Sequence, residues 1–436
     1  MVLLLIQPFP VLHDYPEWMY QGHIVWSLLS DALAGPGNTS ASYSTYAGYY
    51  EVVPVPVPNA ITQVGVALLN MLVTPVWAGK IWLGVYILLA LVTAFISFRG
   101  HRISGAKQFI FLLTIAFGTG FFNGYLNFQF GVILFTLFVA TGSRRSIAWL
   151  FIFSLLIYFS HASVFAGFVI YVVISEIFNQ RRVTAFFALL PSLLMLLWYT
   201  AVKIQTDGEF NAGVGSAMRW VQYKIYTLAK QGPFHNFILP DGQSLLADLH
   251  VVYLVGFAIN FLVAILIGSW LLSIGWNYLQ RTKNNSHGDA GSHALIATVA
   301  ILLVLWLLSG TNTLGVVNLG ERFLIVALIL LLLQLEMPPP QAYIWTLVCF
   351  LSASVTVLSL LTLSRSTEIY SVDRSADSAE VTSFVDNIYS NSRHKHFNHR
   401  IFIYANLGQY LLQPDEFESP PPVDHESSIV RMLKSQ

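Results

Sequence analysis

The chain has 436 residues and no net charge; 55% of its residues are hydrophobic, only 10% are charged, and its mean hydropathy is +0.63. A soluble domain carries about 25% charged residues, so these figures exclude an ordinary soluble enzyme and point to an integral membrane protein. Zero net charge gives no basis for a nucleic-acid partner, and a single cysteine, Cys349, excludes an intrachain disulfide and a cysteine zinc site.

The first ten residues, MVLLLIQPFP, are apolar, lack the basic start of a signal peptide and are too short to span a bilayer. They read as the remnant of a truncated first helix. Residues 12–59 follow as a polar stretch with His13, Asp14, Glu17, Asp31 and Glu51, many tyrosines, and no Lys or Arg. Residues 59–76 are apolar, follow Val-Pro repeats and stop at Pro75, which suits a helix lying at the membrane interface. Residues 77–98 are long enough to cross, and their far end meets Arg99, His101, Arg102 and Lys107. Basic clusters stay in the cytoplasm, so residues 12–76 are expected on the opposite side.

Alternation then runs along the chain. Spans are expected at 108–122, 125–141, 147–160, 162–178, 184–202, 250–275, 294–309, 323–336 and 342–363. Arg144–Arg145, Arg181–Arg182 and Arg281 with Lys283 fall in internal turns, whereas the loops 203–249 and 310–322 fall outside. The expected fold is therefore all-α, a polytopic helical bundle of about eleven transmembrane helices with the first one truncated. Residues 1–363 form the membrane domain and 364–436 a small extracytoplasmic segment, whose end reads as disordered.

Several polar residues stand out against this background. Asp14 directly follows the apolar N-terminal run, at the expected outer surface, where an apolar setting would make its carboxylate a general base. Asp14, Pro16 and Glu17 also resemble a helix-capping box, and the two readings are compatible. Glu17 is either half of that cap or a second catalytic carboxylate. Glu51 follows Tyr43, Tyr46, Tyr49 and Tyr50, aromatic groups that either stack on a sugar ring or anchor at the interface. Asn123 and Asn127 read as interhelical hydrogen-bond partners. His161 sits at an outer helix end, as a packing histidine or a substrate ligand. Loop 203–249 carries Lys203, Arg219 and Lys224 among Trp220, Tyr223 and Tyr226, which suits an interfacial helix touching a phosphate or an anionic lipid. Arg322, after Gly320 and Glu321, is either a phosphate ligand or half of a buried ion pair. His394, His396 and His399 have a spacing that admits a metal, though exposed short clusters of this kind are usually incidental.

The order of these parts resembles the GT-C superfamily of polytopic glycosyltransferases: an acidic residue after the first span (Asp14), a long outer loop, an interfacial helix near Pro58–Asn59, and a second span ending in basic residues. The strings FFNGYLNFQFG, YFSHASVF and LGERFLIVALILLL are similar to those of uncharacterised bacterial members. The resemblance implies an enzyme of the bacterial inner membrane, working on its periplasmic side. Its donor would be a polyprenyl-phosphate-linked sugar and its acceptor a glycan, lipid or protein. Asp14, with Glu17 beside it, would deprotonate an acceptor hydroxyl that displaces the lipid phosphate with inversion. Glu51, Tyr49, Tyr50, His161, Lys203, Arg219, Lys224 and Arg322 would bind substrate. A divalent cation (Mg or Mn) on Asp14 with Glu17 or Glu51 is compatible with it. Two other classes stay open: an O-antigen-type polymerase or ligase, centred on Arg and His, and a transporter of lipid-linked glycans.

Overall fold

The computed structural model describes residues 14–34, 44–99, 104–117, 119–122, 124–141, 146–178, 184–207, 217–229, 231, 290–310, 312–313, 316–334 and 429–433, with further helical residues at 258, 261–262, 264–271, 273, 343–344, 346–347 and 350–351. These residues are mostly helical. In chain order the elements are α1 (Tyr15–Ala34), α2 (Ser44–Ala47), β1 (Tyr50–Val52), α3 (Ile61–Asn70), α4 (Pro75–Phe98), α5 (Ser104–Phe117), α6 (Thr119–Phe122), α7 (Leu126–Thr141) and α8 (Ile147–Ser160). They continue with α9 (Ala162–Phe178), α10 (Thr184–Asp207), α11 (Ala217–Ala229), α12 (Ala290–Leu308), β2 (Asn312–Thr313), β3 (Val316–Val317), α13 (Leu319–Gln334) and β4 (Val430–Met432).

Local chemistry explains the boundaries. Pro16 and Glu17 occupy the first turn of α1, where a missing N–H costs nothing and a negative charge meets the helix dipole. Asn59 takes a left-handed conformation (φ 95°) that turns the chain into α3, and Pro75 opens α4. His161 has an extended backbone and breaks α8 from α9, while its N–H still bonds Ile157 O at 3.0 Å.

The main core gathers one face each of α4, α5, α7, α8, α9 and α12 around α13. α13 is buried almost all round, from Phe323 to Leu333. α1 belongs to two cores. Its first turns place Tyr15, Trp18 and Met19 in the main one. Tyr20, Ile24 and Val25 pack into a smaller cap with Tyr46, Tyr50, Val57 and Ala67.

The outer faces are apolar too: Leu88 is 62% exposed, Leu197 65% and Leu308 72%. Two helices, Pro75–Phe98 and Ala185–Lys203, are long and apolar enough to cross a membrane. The tail departs from the expectation of disorder at one point. Residues 430–432 form β4, antiparallel to β1, with Glu51 opposite Arg431. Burial of Ile429 and Val430 in the cap supplies the ordering free energy that the polar composition around them does not.

Candidate functional site

The site begins where α1 begins. Gly124, with φ +72°, lies so close that a Cβ on it would stand 2.5 Å from Asp14 N and 2.9 Å from Tyr15 N. The Trp18 indole Nε1 donates to Gly124 O at 2.8 Å. Asp14 and the first turn of α1 are thus locked onto the α6–α7 turn. Asp14 itself is buried.

The next residue on that turn, Tyr125, continues the site. The Arg322 guanidinium lies over its ring, 5.3 Å from the centroid. Arg322 Nη1 also donates to His161 Nε2 at 2.7 Å. An arginine has no acceptor to offer, so this contact uses the Nε2 lone pair. The other ring nitrogen, Nδ1, lies 2.8 Å from Ser163 Oγ and accepts from Ser163 N at 3.2 Å. Phe128 closes the ring from the side at 5.4 Å. Burial first, and the neighbouring guanidinium second, hold His161 well below the usual histidine range, so it is a neutral acceptor. Arg322 Nε is buried without a hydrogen-bond partner. Among the described residues, the guanidinium meets an imidazole and a phenol ring but no carboxylate.

Lys224 comes up beside this cluster. A Cβ on Gly320, two residues before Arg322, would lie 3.5 Å from its Nζ. The ammonium donates to Trp306 O and Ser309 O, the open carbonyls at the end of α12. It is ringed by Trp220, Tyr223 and Trp306, with centroids at 5.6, 5.0 and 5.6 Å. Burial lowers its pKa to about 8. The aromatic residues of α11 therefore wrap their own lysine and dock the helix onto α12. Trp220 Nε1 adds a bond to Leu307 O, and Trp306 Nε1 one to Thr227 Oγ1, both at 3.0 Å.

Behind Asp14 runs a buried polar chain. Glu17 Oε1 accepts from Gln21 Nε2 at 2.7 Å, Gln21 Oε1 from Gln63 at 3.3 Å, and Gln63 Oε1 from Asn127 at 3.0 Å. Asn127 also accepts from Thr62 N at 2.7 Å and donates to Asn59 O at 2.8 Å. It holds the start of α3 while the chain links α3 to α1 and α7. The interhelical role expected for Asn127 is visible here; Asn123 lies outside the described residues.

The remaining sequence candidates sit elsewhere. Tyr50 is buried in the cap, its hydroxyl 3.4 Å from that of Tyr20, while Tyr49 is exposed on the turn before β1. Glu51 is half-buried within β1. Lys203 is half-buried near the end of α10. Arg219 falls on α11, with its side chain outside the described residues, and His394, His396 and His399 lie outside them altogether. Tyr125, Ser163, Gln21 and Gln63 had no sequence signal beyond being polar in apolar surroundings. A divalent cation needs several oxygen donors. Among the described residues no three His, Cys, Asp or Glu side chains come together to hold one. No family model, no curated protein and no solved structure matches this chain.

Proposed function

We propose that the chain is a polytopic membrane glycosyltransferase that moves a sugar from a polyprenyl-phosphate-linked donor to an acceptor hydroxyl on the extracytoplasmic face of the inner membrane. One observation carries this reading. The α6–α7 turn packs the Asp14 backbone against Gly124 and the Arg322 guanidinium over Tyr125, so the residue proposed as base and an arginine that meets no carboxylate among the described residues are positioned by adjacent residues. In the reaction Asp14 takes the proton of the acceptor hydroxyl. The freed oxygen bonds to the anomeric carbon as that carbon's bond to the phosphate oxygen breaks. Arg322 stabilises the charge growing on the departing lipid phosphate, and His161 holds Arg322 in place.

Two features support the membrane setting. The outward faces of α4, α10 and α12 carry many large apolar side chains that are more than a third exposed, as a surface facing lipid would. The β1–β4 pairing requires residues 50–52 and 430–432 to share one side, hence an even number of crossings between them. The ten spans expected between those strands meet that condition. Short helices such as α8, 14 residues or about 21 Å long, fall short of a hydrocarbon core of about 30 Å. If α8 and α9 dip in and return as a hairpin, two crossings vanish together and the parity is unchanged.

The Arg322–His161 pair also favours a second reading, an O-antigen-type polymerase or ligase, since that class centres on Arg and His. Asp14→Asn separates the two. In membranes supplied with a radiolabelled polyprenyl-phosphate hexose, the first reading expects transfer to fall at least about 100-fold, the scale of a lost general base. Full activity of Asp14→Asn together with a dead Arg322→Ala would overturn it in favour of the second.

A further inference from the structure

The C-terminal segment is far in sequence from the first loop, yet it completes that loop's fold. β4 pairs with β1 over three residues, and the ladder extends at both ends through Val53 N to Ile429 O at 2.9 Å and Leu433 N to Tyr49 O at 2.7 Å. Antiparallel pairing alternates, so these two bonds make Glu51 and Arg431 the hydrogen-bonded pair between them. Ile429 and Val430 are buried with Tyr20, Ile24, Tyr50 and Val57. A two-stranded sheet is marginal alone. This one is held by side chains of α1, the helix whose other end positions Asp14 and Glu17.

We infer that β1 and the cap beneath it form a strand-addition groove whose ligand is the chain's own C-terminal segment, residues 429–433. The groove selects by main-chain hydrogen bonds along β1 and by an apolar seat for Ile429 and Val430, the way an extended peptide is read at a sheet edge. Docking therefore places the C-terminus on the same face as the first loop. It also braces the far half of α1, so that losing the segment loosens the helix from the cap end. None of this depends on the chemistry proposed for Asp14.

A chain ending at Ser428 exposes the groove. Titrated with a fluorescein-labelled peptide of residues 425–436, HESSIVRMLKSQ, it should bind saturably. The intact chain, its groove filled, should bind at least tenfold more weakly. The same peptide carrying Arg431→Pro, which deletes the central ladder N–H, should also lose at least tenfold. No binding by a truncated chain that keeps its helical circular dichroism overturns the proposal, and so does equal binding by the intact chain. A cross-link tests the same docking without truncation. With Cys349→Ser in the background, Glu51→Cys and Arg431→Cys stand about 5.5 Å apart at Cα, within disulfide reach. They should close within one chain on mild oxidation, whereas Val55→Cys with Arg431→Cys should not. Failure to close, closure of both pairs alike, or a disulfide-linked dimer in its place each refutes the intramolecular docking.

Discussion

Gly124 is the sharpest test of how Asp14 is held. Replacing it with alanine asks a left-handed residue (φ +72°) to carry a Cβ that would sit 2.5 Å from Asp14 N, 2.9 Å from Tyr15 N and 3.0 Å from Asp14 Cα. The conformation alone costs about 1–3 kcal/mol. All three obstructing atoms are backbone, so no rotamer change relieves them, and overpacking adds about 1–3 kcal/mol. A net loss of about 3 kcal/mol is the minimum expected, and what relaxes is the position of Asp14. Gly84, in the middle of α4, provides the control, because a Cβ there meets nothing within 4 Å. Gly84→Ala should gain up to about 1 kcal/mol from helix propensity. Thermal unfolding of the detergent-solubilised variants, followed by tryptophan fluorescence, gives the comparison: the same substitution should move the midpoint in opposite directions. A Gly124→Ala protein that melts no lower than the parent would refute the close approach and the clamp on Asp14 drawn from it.

Other outcomes follow from neighbouring contacts. Asn127→Ala strands Thr62 N, Asn59 O and Gln63 in a buried setting and should cost about 3 kcal/mol, read as a lower unfolding midpoint. Lys224 has a folded pKa of about 8 against an ordinary value of 10.5. Between these values the unfolded chain binds more protons than the folded one, so the midpoint should rise as pH increases from 8 toward 10. Lys224→Met should remove that part of the slope, and an unchanged pH profile would reject it. His161→Gln keeps an acceptor for Arg322 and should retain more transfer activity than His161→Ala; equal losses in the two would show that His161 does not act by holding Arg322.

What the sequence shows and hides follows from the range of the interactions. Apolar runs are local, and α4, α7, α8, α9 and α10 lie close to where the hydropathy of the chain puts them. α1 is a 20-residue helix inside what composition reads as a polar loop, and its signal was the Asp14-Pro16-Glu17 start. The partnerships at the site were not legible. Arg322 meets His161 across 161 positions, and Gln63 meets Gln21 across 42; no pattern within a window contains either pair. α11 shows a different limit. Basic residues interleaved with aromatics read equally as a phosphate site or a docked helix, and only the position of the Trp306 and Ser309 carbonyls separates the two. β4 was hidden for a further reason: three residues cannot establish a period, and the burial of Ile429 and Val430 depends on a cap built from the other end of the chain.

The charge on Arg322 decides whether this cluster is scaffold or site. Arg322 is half-buried with its Nε buried, and a guanidinium kept there for stability should face a carboxylate; breaking a fully buried pair of that kind costs about 3–5 kcal/mol. Arg322 faces a neutral imidazole and a phenol ring, with its Nε unpaired. A charge left in that state raises the free energy of the empty protein, which is the expected condition of a group waiting for an anion. Arg322→Met should therefore leave the unfolding midpoint within about 1 kcal/mol of the parent, or raise it, since apolar replacement of uncompensated charge is often stabilising. The same variant should lose sugar transfer, and Arg322→Lys should recover little of it, because an ammonium lacks the planar fork. Added inorganic phosphate should raise the midpoint of the parent but not of Arg322→Met. A loss of about 3 kcal/mol or more in Arg322→Met would show that the guanidinium holds the helices together, and would remove the anion site from the mechanism.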